Sequence, residues 1–223
     1  MFTSQQIAGV GLTSQRARDR LVNELRNDKG ITNERVLAAI GEIPRHLFVE
    51  DALASHAYQN KSLPIGLKQT ISMPYTVAKM TEVLLEAGPM ETVLEVGTGS
   101  GYQTAVLSKL VKQVYSVERL RPLQERAKQV LRDLRINNVR YKYSDGSCGW
   151  EENQRKYDGI LVTAAPTSLP TELLGQLKPG GRLVLPMGSP GKQMLVAVYQ
   201  TAEGWMQEDI EPASFVPLLS GTR

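Results

Sequence analysis

Val93-Leu94-Glu95-Val96-Gly97-Thr98-Gly99-Ser100-Gly101-Tyr102 is the stretch on which the reading of this chain turns. Its first four residues have the apolar bias of a short buried strand, and a glycine-spaced turn stops that strand abruptly. Gln103 to Leu110 then reads as a helix. Glycines in a strand-to-helix turn admit positive φ and let a ligand approach the backbone with no Cβ in the way. In an open α/β sheet, the crevice above such a turn is where nucleotides bind. Gly97, Gly99 and Gly101 are spaced Gly-x-Gly-x-Gly, not Gly-x-Gly-x-x-Gly, and alone they are also compatible with a plain tight loop.

Two acidic residues downstream give the turn a context. Gln113 to Val117 alternates as a second strand and ends on Glu118, placed to accept hydrogen bonds from both ribose hydroxyls of an adenosine. Val139 to Tyr143 alternates as a third strand. Asp145-Gly146 follows it at the next crevice, where an adenine amino group needs an acceptor. Taken singly, Glu118 is compatible with a solvated strand end and Asp145-Gly146 with an ordinary turn. Together they place three crevice-lining features at the ends of three successive strands.

Outward from this unit the chain keeps an α/β rhythm. Pro122 opens a helix with Leu123, Ala127, Val130, Leu131 and Leu134 facing inward. Gly159 to Thr163 is a continuous apolar strand, as expected at the buried centre of a parallel sheet. Thr171 to Leu177 reads as a short helix ended by Lys178-Pro179-Gly180-Gly181, and Arg182 to Pro186 as a fifth strand. Gln193 to Tyr199 and Trp205 to Ile210 then form strands with no room for a helix between them, so the sheet ends in an antiparallel hairpin. Phe215 to Leu219 returns toward the sheet.

Upstream, Thr13 or Ser14 caps a first helix carrying Ala17, Leu21 and Leu25, with Gly30 after its end. Thr32 or Asn33 starts a second, which Pro44 prevents from continuing, and a third short helix is expected from His46 to Ala57. Lys61 to Ser72 is turn-rich and reads as a small hairpin. Pro74 then suits the first turn of a helix with Val77, Met80, Val83 and Leu84 on its buried face. Ser72 falls at or next to that helix's N-cap, where it is either a cap or a residue at an anion-binding site. The expected division is an N-terminal helical cap and hairpin, 1–72, and a core, 73–223, in one compact domain.

With 223 residues, 41% hydrophobic, 22% charged and a net charge of +3, the composition is that of an ordinary globular chain. No basic block argues for nucleic acid, and no apolar run reaches membrane-spanning length. The single cysteine, Cys148, excludes an internal disulfide and fits a reducing compartment. The start of the chain lacks the pattern of a secretory signal, so a cytoplasmic location is expected. Only two histidines occur, His46 and His56. Neither has metal-ligand spacing, and packing roles are expected for both.

Two adenosine cofactors compete for the glycine turn. A nicotinamide dinucleotide needs helix N–H groups and a third glycine for its pyrophosphate. S-adenosyl-L-methionine carries a sulfonium and no phosphate, and it suits an acid beside the turn, where Glu95 stands. The spacing and the terminal hairpin favour the methyl donor.

Leu94 to Ala105, with Gln69-Thr70-Ile71-Ser72-Met73-Pro74-Tyr75 upstream, resembles the bacterial protein-L-isoaspartate O-methyltransferase family. Gly41-Glu42-Ile43-Pro44-Arg45-His46-Leu47-Phe48-Val49 and Phe215 to Leu219 resemble it too, so the likeness runs almost end to end. The glycine turn is shared by many methyltransferases, whereas Thr-Ile-Ser-x-Pro is the specific part. Met73, Ser144 and Ser214 depart from the common Gln, Gly and basic residue at their positions.

The resemblance implies a class I methyltransferase with a Rossmann-like, doubly wound, mostly parallel seven-stranded sheet, an antiparallel C-terminal hairpin and an N-terminal helical cap. It implies methylation of the α-carboxylate of L-isoaspartyl, and less readily D-aspartyl, residues in aged proteins. S-adenosyl-L-homocysteine would be the other product, and the ester would close to a succinimide unaided. Ser72 would be the active-site serine. Thr70, Ile71, Glu95, Gly97, Thr98, Gly99, Ser100, Gly101, Glu118, Arg119, Asp145, Gly146 and Thr163 would hold the cofactor. Isoaspartyl proteins and peptides are then the expected partners, with no nucleic acid, membrane or metal. The competing readings are a small-molecule or RNA methyltransferase of the same fold and a non-catalytic adenosine-binding module. Against RNA, Thr163-Ala164-Ala165-Pro166 stands where an Asn-Pro-Pro-Tyr type motif would follow the fourth strand.

Overall fold

Strand β3, Thr92–Val96, lies near the middle of a seven-stranded sheet because its side chains are apolar enough to be buried on both faces. The computed structural model describes residues 1–150 and 152–223, with Asn153 described through its backbone only. From β3 the chain runs outward through α5 (Tyr102–Ser108), β4 (Gln113–Glu118), α6 (Arg121–Asp133) and β5 (Val139–Tyr143). It then crosses back to the other side of β3 as β6 (Tyr157–Val162), followed by α7 (Thr171–Leu174) and β7 (Leu177–Met187). Strands β8 (Gln193–Thr201) and β9 (Gly204–Ala213) complete the order β5-β4-β3-β6-β7-β8-β9. Within this sheet β3 to β7 are parallel, and β7-β8-β9 is antiparallel.

Register decides where a site can form. Val96 lies opposite Val117 on one side and Val162 on the other, and Glu118 lies opposite Tyr143. Gly97, Glu118, Thr163 and Ser144 therefore leave the sheet at one level. The reversal of strand order between β3 and β6 opens a crevice at their carboxyl ends.

The N-terminal elements pack on one face of the sheet and bring the end of a hairpin to this edge. Helices α1 (Ser4–Ala8), α2 (Gln15–Asn27) and α3 (Glu34–Glu42) lead to two 3-10 turns, Arg45–Phe48 and Asp51–His56. The hairpin β1 (Leu63–Gly66) and β2 (Gln69–Ile71) and the helix α4 (Pro74–Leu85) follow. One hydrophobic cluster joins Val93, Val114, Leu161 and Val184 to helices α2 through α6, running without a break across residues 72 and 73. A second, built on Leu94, Val96, Ile160 and Leu183, meets Trp150 and α7 on the opposite face.

The architecture is the one expected, with local differences. The helix expected over 46–57 is two 3-10 turns, and α1 is an additional element. Helix α7 stops at Leu174, and Lys178-Pro179-Gly180-Gly181 lies inside β7, not between helix and strand. Tyr157 pairs with Leu177 and Gly159 with Arg182, so those four residues bulge out of the ladder. His46 is buried between Tyr58 Oη and the Gln6 carbonyl, both at 2.8 Å, and burial pushes its pKa down. No helix among the described residues is long and apolar enough to cross a membrane.

Candidate active site

The turn after β3 needs its glycines for two separate reasons. A Cβ on Gly97, which has φ +99°, would fall 2.3 Å from Thr163 Oγ1, the hydroxyl that donates to the Gly97 carbonyl at 2.7 Å. Gly101 is the left-handed N-cap of α5, and a Cβ there would press on Ala127 of α6 at 3.1 Å. The turn is thus held against β6 on one side and α6 on the other. Ser100 Oγ accepts the Tyr102 N–H at 3.2 Å. Thr98 is buried and bonds Ser116 Oγ at 2.6 Å.

Glu95 does not reach the crevice. Its side chain is fully buried beneath the turn, where one oxygen accepts from the Thr104 hydroxyl at 2.5 Å and from the Ser116 hydroxyl. The other oxygen has no hydrogen-bond partner among the described residues. Burial outweighs these two bonds, and with the Glu118 charge adding to it the pKa is pushed up to about 8. The strand's alternation explains the placement, because Glu95 shares the face of Val93 that packs under α5.

Glu118 is brought to the crevice. Its Oε2 accepts the Gly99 N–H at 2.8 Å and its Oε1 the Leu120 N–H at 2.9 Å, so the carboxylate is fixed before any ligand arrives. It stands in a cleft walled by Val96, Val117, Leu120 and Leu123, with Gly97, Gly99, Gly146 and Thr163 along the strand ends. Thr70 and Gln69 of β2 close one side. Val216 to Leu219 form a strap over another, held by Ala165 N–H to the Val216 carbonyl and Leu218 N–H to the Ala165 carbonyl, both 2.8 Å.

Asp145 is placed otherwise than expected. One of its oxygens accepts from the Ser147 N–H and hydroxyl at 2.9 and 2.8 Å, and the other from the Gly221 N–H at 2.5 Å. Burial opposes its ionisation, but these donors outweigh it and hold its pKa below the usual value. An Asp preceding a short helical turn caps that turn first. Its neighbour Gly146 lines the cleft instead. Arg119, at the rim, gives its guanidinium to the carbonyls of Gly221 and Ser220 at 2.8 and 3.4 Å.

A second cavity adjoins the first and shares Thr70, Thr163 and Val216 with it. Ser62, Ser72, Met73 and Tyr75 line one side, and Glu211 to Phe215 the other. Ile71 and Ser100 join Ser72, Thr98 and Gly99 around a smaller recess that bridges the two. Ser72 is not a cap. The N-cap of α4 is Met73, which has no capping hydroxyl, and the Tyr75 N–H is satisfied at 2.9 Å by Asn60 Oδ1. Ser72 lines the cavity, and among the described residues its hydroxyl makes no hydrogen bond.

Residues that spacing did not single out also shape the site. Asn60 caps α4 from fifteen positions upstream, and the Tyr75 hydroxyl donates to Glu211 at 2.6 Å across the second cavity. Burial first, and then that bond, pushes the Tyr75 pKa up to about 12. Arg45 lies inside a stretch quoted for its family likeness, which was the one available signal. Asn60 and Glu211 had none, because their partners are distant in the chain.

The first cleft fits an adenosine without phosphates. Its walls are apolar, its carboxylate is preset for hydroxyl donors, and the only cation in its lining among the described residues, Arg119, is engaged by backbone carbonyls. Known proteins point the same way. The family model described as Protein-L-isoaspartate(D-aspartate) O-methyltransferase matches residues 15–223. A protein-L-isoaspartate O-methyltransferase of Methylobacillus flagellatus is 53% identical over 99% of this chain and 100% of its own. One from Halorhodospira halophila is 55% identical over 96% of each. Among solved structures, a protein-L-isoaspartate O-methyltransferase superposes with TM-score 0.79 at 29% identity, covering 90% of this chain and 65% of that one. A putative Plasmodium falciparum enzyme, solved in complex with S-adenosyl-L-homocysteine, shares the fold at TM-score 0.79 and 22% identity, over 91% of this chain and 98% of its own. The chain belongs to the protein-L-isoaspartate(D-aspartate) O-methyltransferase family.

Proposed function

We propose that this chain, as a protein-L-isoaspartate O-methyltransferase using S-adenosyl-L-methionine, esterifies the α-carboxylate of L-isoaspartyl residues in damaged proteins. The observation that carries the residue roles is the meeting of two cavities at Thr70, Thr163 and Val216, one holding Glu118 and the other Ser72. Glu118 accepts the ribose hydroxyls, and the apolar walls take the adenine. The glycine turn, with Thr70, Ile71 and Thr163, faces the remainder of the cofactor. Bound there, S-adenosyl-L-methionine supplies an electrophilic methyl on a sulfonium, so transfer to a carboxylate removes two opposite charges and is favoured where water is excluded.

The residues present need do little else. A carboxylate with a pKa of about 3.5 to 4 is ionised at neutral pH, so no general base is required. That accords with His46 being buried and bonded on both nitrogens. Ser72 donates to the acceptor carboxylate and orients it, and the chain's main contribution is alignment of the reacting atoms. Release of the ester leaves succinimide formation to proceed without the protein. Isoaspartyl proteins are the partners on this reading, and the single unpaired cysteine supports a reducing, cytoplasmic setting.

Paired peptides differing only in isoaspartyl against aspartyl linkage test the reading. Radiolabelled methyl should enter the isoaspartyl peptide at least a hundredfold faster. Equal labelling, or none with either peptide, would overturn it.

A further inference from the structure

Arg45 is the bulkiest of the fully buried side chains, at 0% exposure, and it has no carboxylate partner among the described residues. Its Nε donates to the Ala57 carbonyl at 2.9 Å, and its Nη2 to the Ser72 carbonyl at 2.7 Å and, more weakly, to that of Lys61 at 3.5 Å. Nη1 has no hydrogen-bond partner among the described residues. The guanidinium lies 4.7 Å from the ring centroid of Tyr102, the residue that follows Gly101 and opens α5.

Packing alone does not account for this choice of side chain. Burying a cation without a counter-ion is costly, and an apolar side chain of similar volume fills such a space more cheaply. Burial lowers the Arg45 pKa to about 10, which still leaves it charged at neutral pH. What the guanidinium provides is convergence. It ties the carbonyl of Ser72, on the acceptor side, to the ring that begins the helix after the glycine turn, on the cofactor side. A planar fork with several donors can hold carbonyls from separate segments at once, whereas an ammonium on a flexible stem holds them less well.

We propose that Arg45 is a positioning residue for methyl transfer: it fixes the backbone at Ser72, and with it the Ser72 hydroxyl, relative to the glycine turn. Its uncompensated charge also biases that end of the acceptor cavity toward an anionic group. The inference rests on the proposed use of Ser72 as the contact for the acceptor carboxylate.

Arg45→Met and Arg45→Lys test it, with cofactor affinity measured by calorimetry and KM and kcat measured on an isoaspartyl peptide well below each variant's melting temperature. The Met variant should lose at least tenfold in kcat/KM for the peptide while S-adenosyl-L-homocysteine binding stays within threefold. The Lys variant, which keeps the charge but not the fork, should recover part of that loss and still show KM raised severalfold. Because Arg45 acts through Ser72, adding Arg45→Lys to Ser72→Ala should cost less than twofold further. A peptide KM for Arg45→Lys within twofold of the parent, or full additivity with Ser72→Ala, would overturn the proposal. If the Met variant does not fold, the Lys variant and the double variant decide. Failure of the parent protein to methylate the peptide would instead overturn the functional reading beneath it.

Discussion

Ser72 separates two roles that a sequence leaves together. A serine beside a helix start is usually a cap, and replacing a cap with alanine costs about 1 kcal/mol. Here Asn60 does the capping, so Ser72→Ala should leave stability within about 0.5 kcal/mol. Turnover should nevertheless fall tenfold or more, because misplaced reacting atoms are expensive. Ser72→Asp places a negative charge where the acceptor carboxylate has to sit. The expected protein is folded, binds S-adenosyl-L-methionine and barely methylates an isoaspartyl peptide, and near-parental methylation would remove Ser72 from the site.

Glu118 makes the complementary case for the cofactor cleft. Its two oxygens already hold the Gly99 and Leu120 N–H groups, so the acid organises the turn as well as facing the cleft. Glu118→Ala should weaken S-adenosyl-L-methionine binding by about 2–4 kcal/mol, since bonds to a charged acceptor are worth roughly 1.5–3 each and are not additive. Unchanged affinity by calorimetry in a folded variant would contradict its placement. Glu118 and Ser72 stand out as candidates in the sequence because strand ends and helix starts are marked locally. Glu95 and Asp145 do not line the cleft that Glu118 enters: the first is buried under the turn on the Thr104 and Ser116 hydroxyls, and the second caps the short turn at Ser147.

At the scale of elements, what sequence reveals depends on whether a signal is local. Strand β6 could be read because an unbroken apolar run suits two-sided burial, β4 because its residues alternate, and β3 because a glycine turn stops its apolar stretch. The start of β7 could not, since Lys178-Pro179-Gly180-Gly181 has the chemistry of a helix stop and only its pairing with β6 reveals a bulge. The anchoring of α4 was equally hidden. Its first free N–H groups lie next to the acceptor cavity, and one of them is satisfied by a side chain from the loop before β1. Asn60→Ala should therefore lower stability by about 1 kcal/mol in denaturant unfolding, with a shifted midpoint and an unchanged slope. A midpoint equal to the parent's would mean that water caps the helix as well as Asn60 does.

Over the whole molecule, one buried carboxyl sets an unusual dependence of stability on pH. Glu95 lies beneath the glycine turn at the centre of the sheet, and burial raises its pKa from 4.5 to about 8. Between those values the folded protein keeps a proton that the unfolded chain releases, so stability falls as pH rises through that window. Asp158 and Glu82 act in the opposite sense. Burial disfavours their charged forms, but Lys178 and Thr92 for the first, and the Asn33 and Thr32 N–H groups for the second, outweigh it and lower both pKa values. Their contribution is present above the unfolded pKa and is lost as pH falls through the folded one. His46, whose pKa burial lowers, adds stability as pH rises toward its unfolded value, so the clear decline without cofactor should lie between about pH 6.5 and pH 8, where Glu95 alone acts. Glu95→Gln keeps the shape and can still bond the Thr104 and Ser116 hydroxyls, yet it cannot ionise. The variant should match the parent below about pH 4.5 and exceed it above pH 8 by on the order of 3–5 kcal/mol. Urea unfolding at several pH values reads that difference directly, and a gap independent of pH would show that the carboxyl under the turn ionises freely in the folded protein.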